Sequence, residues 1–182
     1  MEGALNNKEP KKVKLDQIDQ RILHDLQADG RITNVKLAEN AGISAPPCLR
    51  RVRALEDDGF ILGYHAEIDP TRLDFKEMFF ALVGLSSQAQ SVLQGFEEQV
   101  AAWPEVRECH MIRGGGDFLL KIVARDKEQR DALTMKLTAA DNVIKVTTLE
   151  TIRTSKHQPG VPIDIFRAGS GKTSDRHCQT GQ

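Results

Sequence analysis

The stretch Ser44-Ala45-Pro46-Pro47-Cys48-Leu49-Arg50-Arg51-Val52-Arg53-Ala54-Leu55-Glu56 places three guanidinium groups within four residues, just after two prolines. A guanidinium is a permanent cation with a planar fork of donors, suited to phosphate oxygens and to the O6/N7 edge of guanine. The prolines mark where a helix begins. The first N–H groups of a helix have no partner inside it, so proline is tolerated there and nowhere later. With Ser44 as N-cap, its hydroxyl would normally accept from the N–H of the second or third helical residue. Those residues are Pro46 and Pro47, which have no N–H. If the helix starts one residue later, Ser44 lies outside it. Either way its hydroxyl is left to meet something external.

A helical projection sets Leu49, Val52 and Leu55 or Glu56 inward. Pro47, Arg50, Arg51 and Ala54 face outward. Arg53 stands to one side, within reach of Asp57 four residues on. An arginine-rich face also suits plain solvation. Three features favour a DNA-recognition helix instead. It is the third helix of a tri-helical unit, as helix-turn-helix geometry requires. The turn before it, AGIS, has the glycine and apolar residue that let two helices cross steeply. Its positive charge gathers at the start, while the acids Glu56, Asp57 and Asp58 are held back at the far end. Ser44, Ala45, Pro47, Arg50, Arg51 and Arg53 are therefore the candidate contacts to duplex DNA. Arg50 and Arg51 would reach phosphates or guanine edges, with Ser44 and Pro47 against the backbone or thymine methyls.

The elements that must position these residues follow from periodicity. Residues 1–13 form a polar arm with Lys8, Lys11 and Lys12. Leu15, Ile18, Ile22, Leu23 and Leu26 fill one face of a first helix, capped by Asp16 and stopping near Asp29-Gly30. A second helix fits Asn34 to Asn40, capped by Thr33 or Asn34 and ended by Gly42. The third helix should end near Asp58-Gly59. Phe60 to Ile68 (FILGYHAEI) is β-like and closes at Asp69-Pro70. Strands are then expected at Met78–Leu85, Val106–Ile112, Phe118–Ala124 and Val143–Thr154, and helices at Ser91–Trp103 and Lys127–Ala139.

That order is β-α-β-β-α-β, the split βαβ unit of ferredoxin-like folds. It leaves one sheet face bare, which invites pairing through the sheets. The expected class is α+β, a winged-type helix-turn-helix joined by a linker strand to a ferredoxin-like sandwich. The expected divisions are a flexible basic arm at 1–13 and a DNA-binding domain at 14–60. A linker strand and turn follow at 61–73, then the ferredoxin-like domain at 74–156 and a disordered tail at 157–182.

Bulk composition excludes other classes. The chain has 182 residues, a formal net charge of −1, 40% hydrophobic and 28% charged residues. No apolar run approaches the roughly 20 residues of a membrane span, and the polar start lacks a signal peptide's apolar core. A cytoplasmic, nucleoid-associated protein is expected. Near-neutral charge excludes a wholly basic nucleic-acid coat but not a local basic face. Cys48, Cys109 and Cys178 are far apart, with no C-x-x-C pair, so neither a disulfide framework nor a structural zinc site is indicated.

Several weaker signals are discounted. Ala168-Gly169-Ser170-Gly171-Lys172-Thr173 imitates the end of a P-loop, but Phe166 stands where the motif needs its first glycine. Cys109 and His110 are strand neighbours facing opposite ways and cannot easily share an ion. Cys48 lies near the DNA face, as a redox-sensitive thiol or, more often, a packing residue. His24 and His65 show no partner in the sequence.

Several motifs together resemble the Lrp/AsnC (leucine-responsive/asparagine-responsive) family of regulators. They are the D-x-x-D-x-x-I-L start within DQIDQRILHDLQADGR, L-A-x-x-x-G-I-S, R-V-x-x-L-E-x-x-G-x-I, and VRECHMIRGGGDFLLKIVARD. The resemblance covers about residues 14 to 156. It implies a homodimer, often an octamer, that binds DNA through paired helix-turn-helix domains and responds to a small molecule, commonly an amino acid. No cofactor and no metal are expected. Carried over by position, the effector site would comprise Met111, Gly114, Gly115, Gly116, Asp117, Thr147, Thr148 and Thr151. A glycine turn lets backbone N–H groups approach a carboxylate, Asp117 could hold an α-ammonium, and the threonines offer hydroxyls. The same glycines also read as a plain hairpin turn. Phe118 stands where the family usually has tyrosine, and Arg113 and Gly115 make the turn unusual. A tetrapyrrole (sirohaem) decarboxylase of the same architecture is the alternative, and a ligand-binding accessory subunit is a third reading.

Overall fold

Asp16 starts the first helix because its carboxylate satisfies an N–H that the helix leaves without a partner. The Asp19 N–H donates to Asp16 Oδ1 at 2.8 Å and the Asp16 N–H donates to Asp19 Oδ2 at 3.2 Å, a reciprocal capping box. From it runs α1 (Gln17–Ala28). The computed structural model describes residues 14–163. The expected arm at 1–13, the P-loop-like run and the tail from 164 lie outside them.

Thr33 caps α2 (Asn34–Ala41) through the Lys36 N–H, and Gly42 ends it at φ 68°, where a side chain would be strained. After that turn comes α3 (Ala45–Asp57). Ile22, Leu37, Ala38, Cys48 and Leu55 are buried between the helices. The buried carboxylate of Asp25 is held from three sides, by Asn40 Nδ2 at 2.7 Å, His24 Nδ1 at 3.1 Å and Arg21 Nε at 3.2 Å. It ties α1 to α2 without leaving a buried charge unpaired.

The chain divides between Ala66 and Glu67, and from Gln158 it returns to the first unit. There the Gln27 amide meets the Val161 backbone twice. Nε2 donates to Val161 O at 2.7 Å, and Oε1 accepts from Val161 N at 3.0 Å. Residues 158–163 are thus attached, although a tail was expected from 157.

The expected linker strand pairs with no strand among the described residues. Among the described residues, 61–69 belong to no strand, and Leu62 is 95% exposed. β-like composition makes a strand only where a neighbouring backbone takes up its N–H and C=O groups.

The second unit begins with a 3-10 turn (Pro70–Leu73). It continues as β1 (Glu77–Leu85), α4 (Gln90–Ala101), β2 (Val106–Met111), β3 (Phe118–Ala124), α5 (Lys127–Thr138) and β4 (Val143–Glu150). The four strands form one antiparallel sheet in the order β2-β3-β1-β4. Strict alternation decides which face is covered. Phe79, Ala81, Val83 and Leu85 of β1, with Phe118, Leu120, Ile122 and Ala124 of β3, are buried with Phe96 and Val100 of α4 and Leu133 and Leu137 of α5. Phe96 and Phe118 lie 5.0 Å apart at their centroids, tilted by 39°, and truncating either to alanine would cost about 3–5 kcal/mol. The opposite face carries Met78, Phe80, Leu82, Leu119, Val123 and Leu149, all only partly buried or exposed. β4 stops at Glu150, short of the expected Thr154.

Candidate DNA-contacting helix and effector turn

Ser44 is the N-cap of α3, with prolines in the first turn, and its side chain makes no capping hydrogen bond. The hydroxyl is exposed, as the missing N–H groups require. Asn34, expected only as a helix start or cap, ties the two helix starts together, its Nδ2 donating to Ala45 O at 2.8 Å.

Val52 and Leu55 face inward and Arg50 and Ala54 outward as expected, but the first turn differs. Cys48 is fully buried and Leu49 is 41% exposed, the reverse of the expectation that Leu49 faces inward. Cys48 is a packing residue, its thiol pushed up in pKa by burial against a smaller opposing effect of Arg51. The apolar pattern misled because cysteine buries as readily as leucine. The outward stripe is Pro46, Leu49, Arg50 and Arg53. Pro47 and Ala45 are half-buried beside it.

The arginines separate. Arg50 and Arg53 are exposed, and among the described residues neither is ion-paired. The expected Arg53–Asp57 pair does not form. Arg51, expected beside Arg50 on the outward face, turns instead toward α1. There its Nη1 lies 2.7 Å from both Asp16 Oδ2 and Asp19 Oδ1. The D-x-x-D spacing was the signal for these partners, but only the packing of α1 on α3 brings them together.

The glycine turn closes the β2–β3 hairpin. Met111 is 56% exposed, Gly114 has φ 138°, and Gly115 is exposed. Gly116 lies so close to β1 that a Cβ there would meet Val83 O at 2.9 Å and Leu82 Cγ at 3.0 Å. Asp117 is engaged by the protein itself. Its N–H donates to Val83 O at 2.8 Å. Its Oδ2 accepts from Leu85 N at 2.7 Å, and its Oδ1 accepts from Gln88 Nε2 at 3.0 Å. Those bonds extend the sheet ahead of the start of β3.

The three threonines do not converge on this turn. Thr147 lies opposite Leu82 and Thr148 opposite Ala81, so they point to opposite faces. Thr147 shares the bare face. Thr151 N reaches Met78 O at 3.4 Å, so it is separated from the turn by the run from Val83 to Met78, about 17 Å at a strand's rise. Among the described residues, no cluster of His, Cys, Asp or Glu could hold a metal ion.

Residues 15–61 match the family model of a winged helix-turn-helix DNA-binding domain, and residues 78–161 match that of the Lrp/AsnC ligand binding domain. The leucine-responsive regulatory protein of Rhizobium meliloti (strain 1021) is 49% identical over 146 residues, covering 80% of this chain and 94% of that protein. The chain belongs to the Lrp/AsnC family. Within that family, the leucine-responsive regulatory protein of Escherichia coli (strain K12) is 46% identical over 107 residues, 59% of this chain and 65% of that one. An AsnC family transcriptional regulator from Agrobacterium tumefaciens superposes with a TM-score of 0.77 at 30% identity, covering 84% of this chain and 99% of that chain. A transcriptional regulator of Neisseria meningitidis in complex with L-Met gives 0.78 at 31% identity, with 83% and 98% covered. This Lrp/AsnC chain is accordingly a DNA-binding transcriptional regulator with a ferredoxin-like ligand-binding domain. The sirohaem decarboxylase alternative finds no support among these relatives.

Proposed function

We propose that this Lrp/AsnC regulator docks the Ser44 end and outward stripe of α3 in the major groove of an operator. Arg50 and Arg53 reach phosphates or guanine edges, and Ser44, Ala45 and Pro47 lie against the backbone. The observation that carries the reading is the pair of exposed guanidiniums, not ion-paired among the described residues, that follow an N-cap whose hydroxyl makes no capping bond. A bidentate base contact contributes about 1–3 kcal/mol of discrimination, and the phosphate contacts make affinity fall with salt.

The effector is an amino acid that meets the exposed part of the 111–117 turn, through Met111 and the Gly114, Gly115 and Gly116 backbone, together with Thr147. Asp117 shapes the turn, and any bond to an ammonium uses the remaining lone pairs of its carboxylate. Thr148 and Thr151 join such a site only from another subunit. The L-Met complex of the Neisseria meningitidis relative supports this ligand class. The bare sheet face, with Phe80, Leu82, Leu119 and Leu149, pairs two subunits into a homodimer, and dimers assemble further into an octamer. Such a regulator works in the cytoplasm, on the nucleoid.

The test is an electrophoretic shift with upstream DNA of the protein's own gene. Wild type should shift it, Arg50→Ala and Arg53→Ala should weaken the shift, and one amino acid of the twenty should raise the melting temperature by mass action. Equal binding by wild type and both arginine variants would refute the α3 reading.

A further inference from the structure

Arg51 sits between Val52 and the exposed Arg50, yet it is spoken for. Nη1 bridges Asp16 Oδ2 and Asp19 Oδ1 at 2.7 Å each. The same two carboxylates form the capping box of α1. Each divides its oxygens. Asp16 gives Oδ1 to the Asp19 N–H and Oδ2 to Arg51, while Asp19 gives Oδ2 to the Asp16 N–H and Oδ1 to Arg51. The guanidinium's single positive charge lies between two carboxylates and offsets their mutual repulsion at one helix start. The Asp19 side chain is 18% exposed and that of Arg51 34%, so the bridge is only partly screened by water.

We infer that Arg51 is a positioning residue that bolts the middle of α3 to the first turn of α1, and that it aims Arg50 and Arg53 at DNA without contacting DNA itself. This rests on the reading that the outward stripe of α3 meets the groove. One turn of helix separates Arg50 from Arg53, so a small rotation of α3 about its axis moves both guanidiniums off their targets together. The apolar core beneath, Ile22 with Cys48 and Leu55, resists separation of the helices more than it resists such a rotation, because hydrophobic contact is non-directional. A charge-assisted bridge to two fixed oxygens is directional.

The two roles give opposite signs. If Arg51 touched phosphate, removing it would lower the salt slope of binding by about 0.9 for each phosphate it had neutralised. Removing a nearby negative charge would then tighten binding. If Arg51 positions α3, removing either side of the bridge weakens binding and leaves the slope alone.

The experiment titrates the full-length protein against labelled operator DNA over a salt series, for wild type, Arg50→Ala, Arg51→Ala, Arg51→Lys, Asp16→Asn, Asp19→Asn and the Arg51→Ala, Asp19→Asn double variant, with active fractions set by stoichiometric titration. Asparagine still caps a helix, so Asp16→Asn removes charge without removing the cap. The expected result is a loss of about tenfold for Arg51→Ala, within the range one base contact carries, at unchanged slope. Asp16→Asn and Asp19→Asn should also weaken binding, Arg51→Lys should recover only part, and the Arg51→Ala, Asp19→Asn double variant should be no weaker than Arg51→Ala. A reduced slope for Arg51→Ala, or tighter or unchanged binding by both aspartate variants, would overturn the inference. Should Arg51→Ala not fold, the aspartate variants decide by the sign of their effect. Failure of the underlying reading shows separately, as wild-type binding by Arg50→Ala.

Discussion

The Asp117 carboxylate accepts the Leu85 N–H at 2.7 Å, so the residue leading into one hairpin strand anchors the last residue of the neighbouring strand. Leu85 is buried, and a buried N–H needs an acceptor, which this carboxylate supplies. The side chain suggested by sequence as an ammonium ligand thus holds the ligand domain's own backbone.

Asp117→Ala should therefore destabilise the protein by about 1–3 kcal/mol, since it leaves a donor without an acceptor. Asp117→Asn keeps one acceptor oxygen and should lose less. Urea unfolding of both variants measures the difference, and equal stability of Asp117→Ala and wild type would contradict the anchoring role.

Gly116 is required for space rather than for φ. A Cβ would come within 2.9 Å of the Val83 carbonyl oxygen, which is backbone and cannot swing away. Gly116→Ala should cost about 1–3 kcal/mol as overpacking, whereas nothing lies within 4 Å of a Cβ at Gly95. Thermal melts of Gly116→Ala and Gly95→Ala compare the two, with Gly95→Ala expected to match or exceed wild type.

Asp25 makes stability depend on acid. Burial opposes its charge, but hydrogen bonds from His24, Asn40 and Arg21 outweigh that and hold its pKa below the ordinary 3.8. A depressed folded value means the stabilisation is complete above the unfolded pKa and drains away as pH falls through the folded one. Unfolding followed below about pH 4 should show the loss. Asn40→Ala should narrow it and cost about 1–3 kcal/mol at neutral pH. An acid limb identical in Asn40→Ala and wild type would contradict this.

Cys109 should be a slow nucleophile despite its exposed position. Burial of its sulfur and then the nearby Glu97 carboxylate push the thiol up to about 11, and only the thiolate reacts. Iodoacetamide labelling, followed by peptide mass, should rise with pH well past neutrality, and Glu97→Gln should speed it. Rapid labelling at pH 7 would count against that environment.

Much of the fold was legible because its signals are local. The Asp16 and Thr33 caps, the Gly42 stop, the proline-led α3 and the alternation of β1 and β3 each depend on residues a few positions apart. The Lrp/AsnC motifs were legible for the same reason. Which of Cys48 and Leu49 faces the core was not. Burial of Cys48 and exposure of Leu49 depend on which side of the helix meets Ile22 and Leu37, and a mixed cysteine and leucine face does not reveal that. Nor was the fate of 61–68, since a strand needs a partner and composition names none.

The sequence by itself determined the order of the five helices and four paired strands, through capping, periodicity and turn chemistry that act within a few residues, and its motifs carried the resemblance to the family. Tertiary structure alone decided which polar groups are spent on the protein and which are left for a ligand. Arg50 and Arg51 are neighbours of one type, yet one faces outward and the other closes on Asp16 and Asp19. Three threonines that look like one site in the sequence are split by strand alternation and by register. A charge or hydroxyl is used up by whatever lies within about 3 Å of it, and for groups distant in the chain only packing brings that partner close.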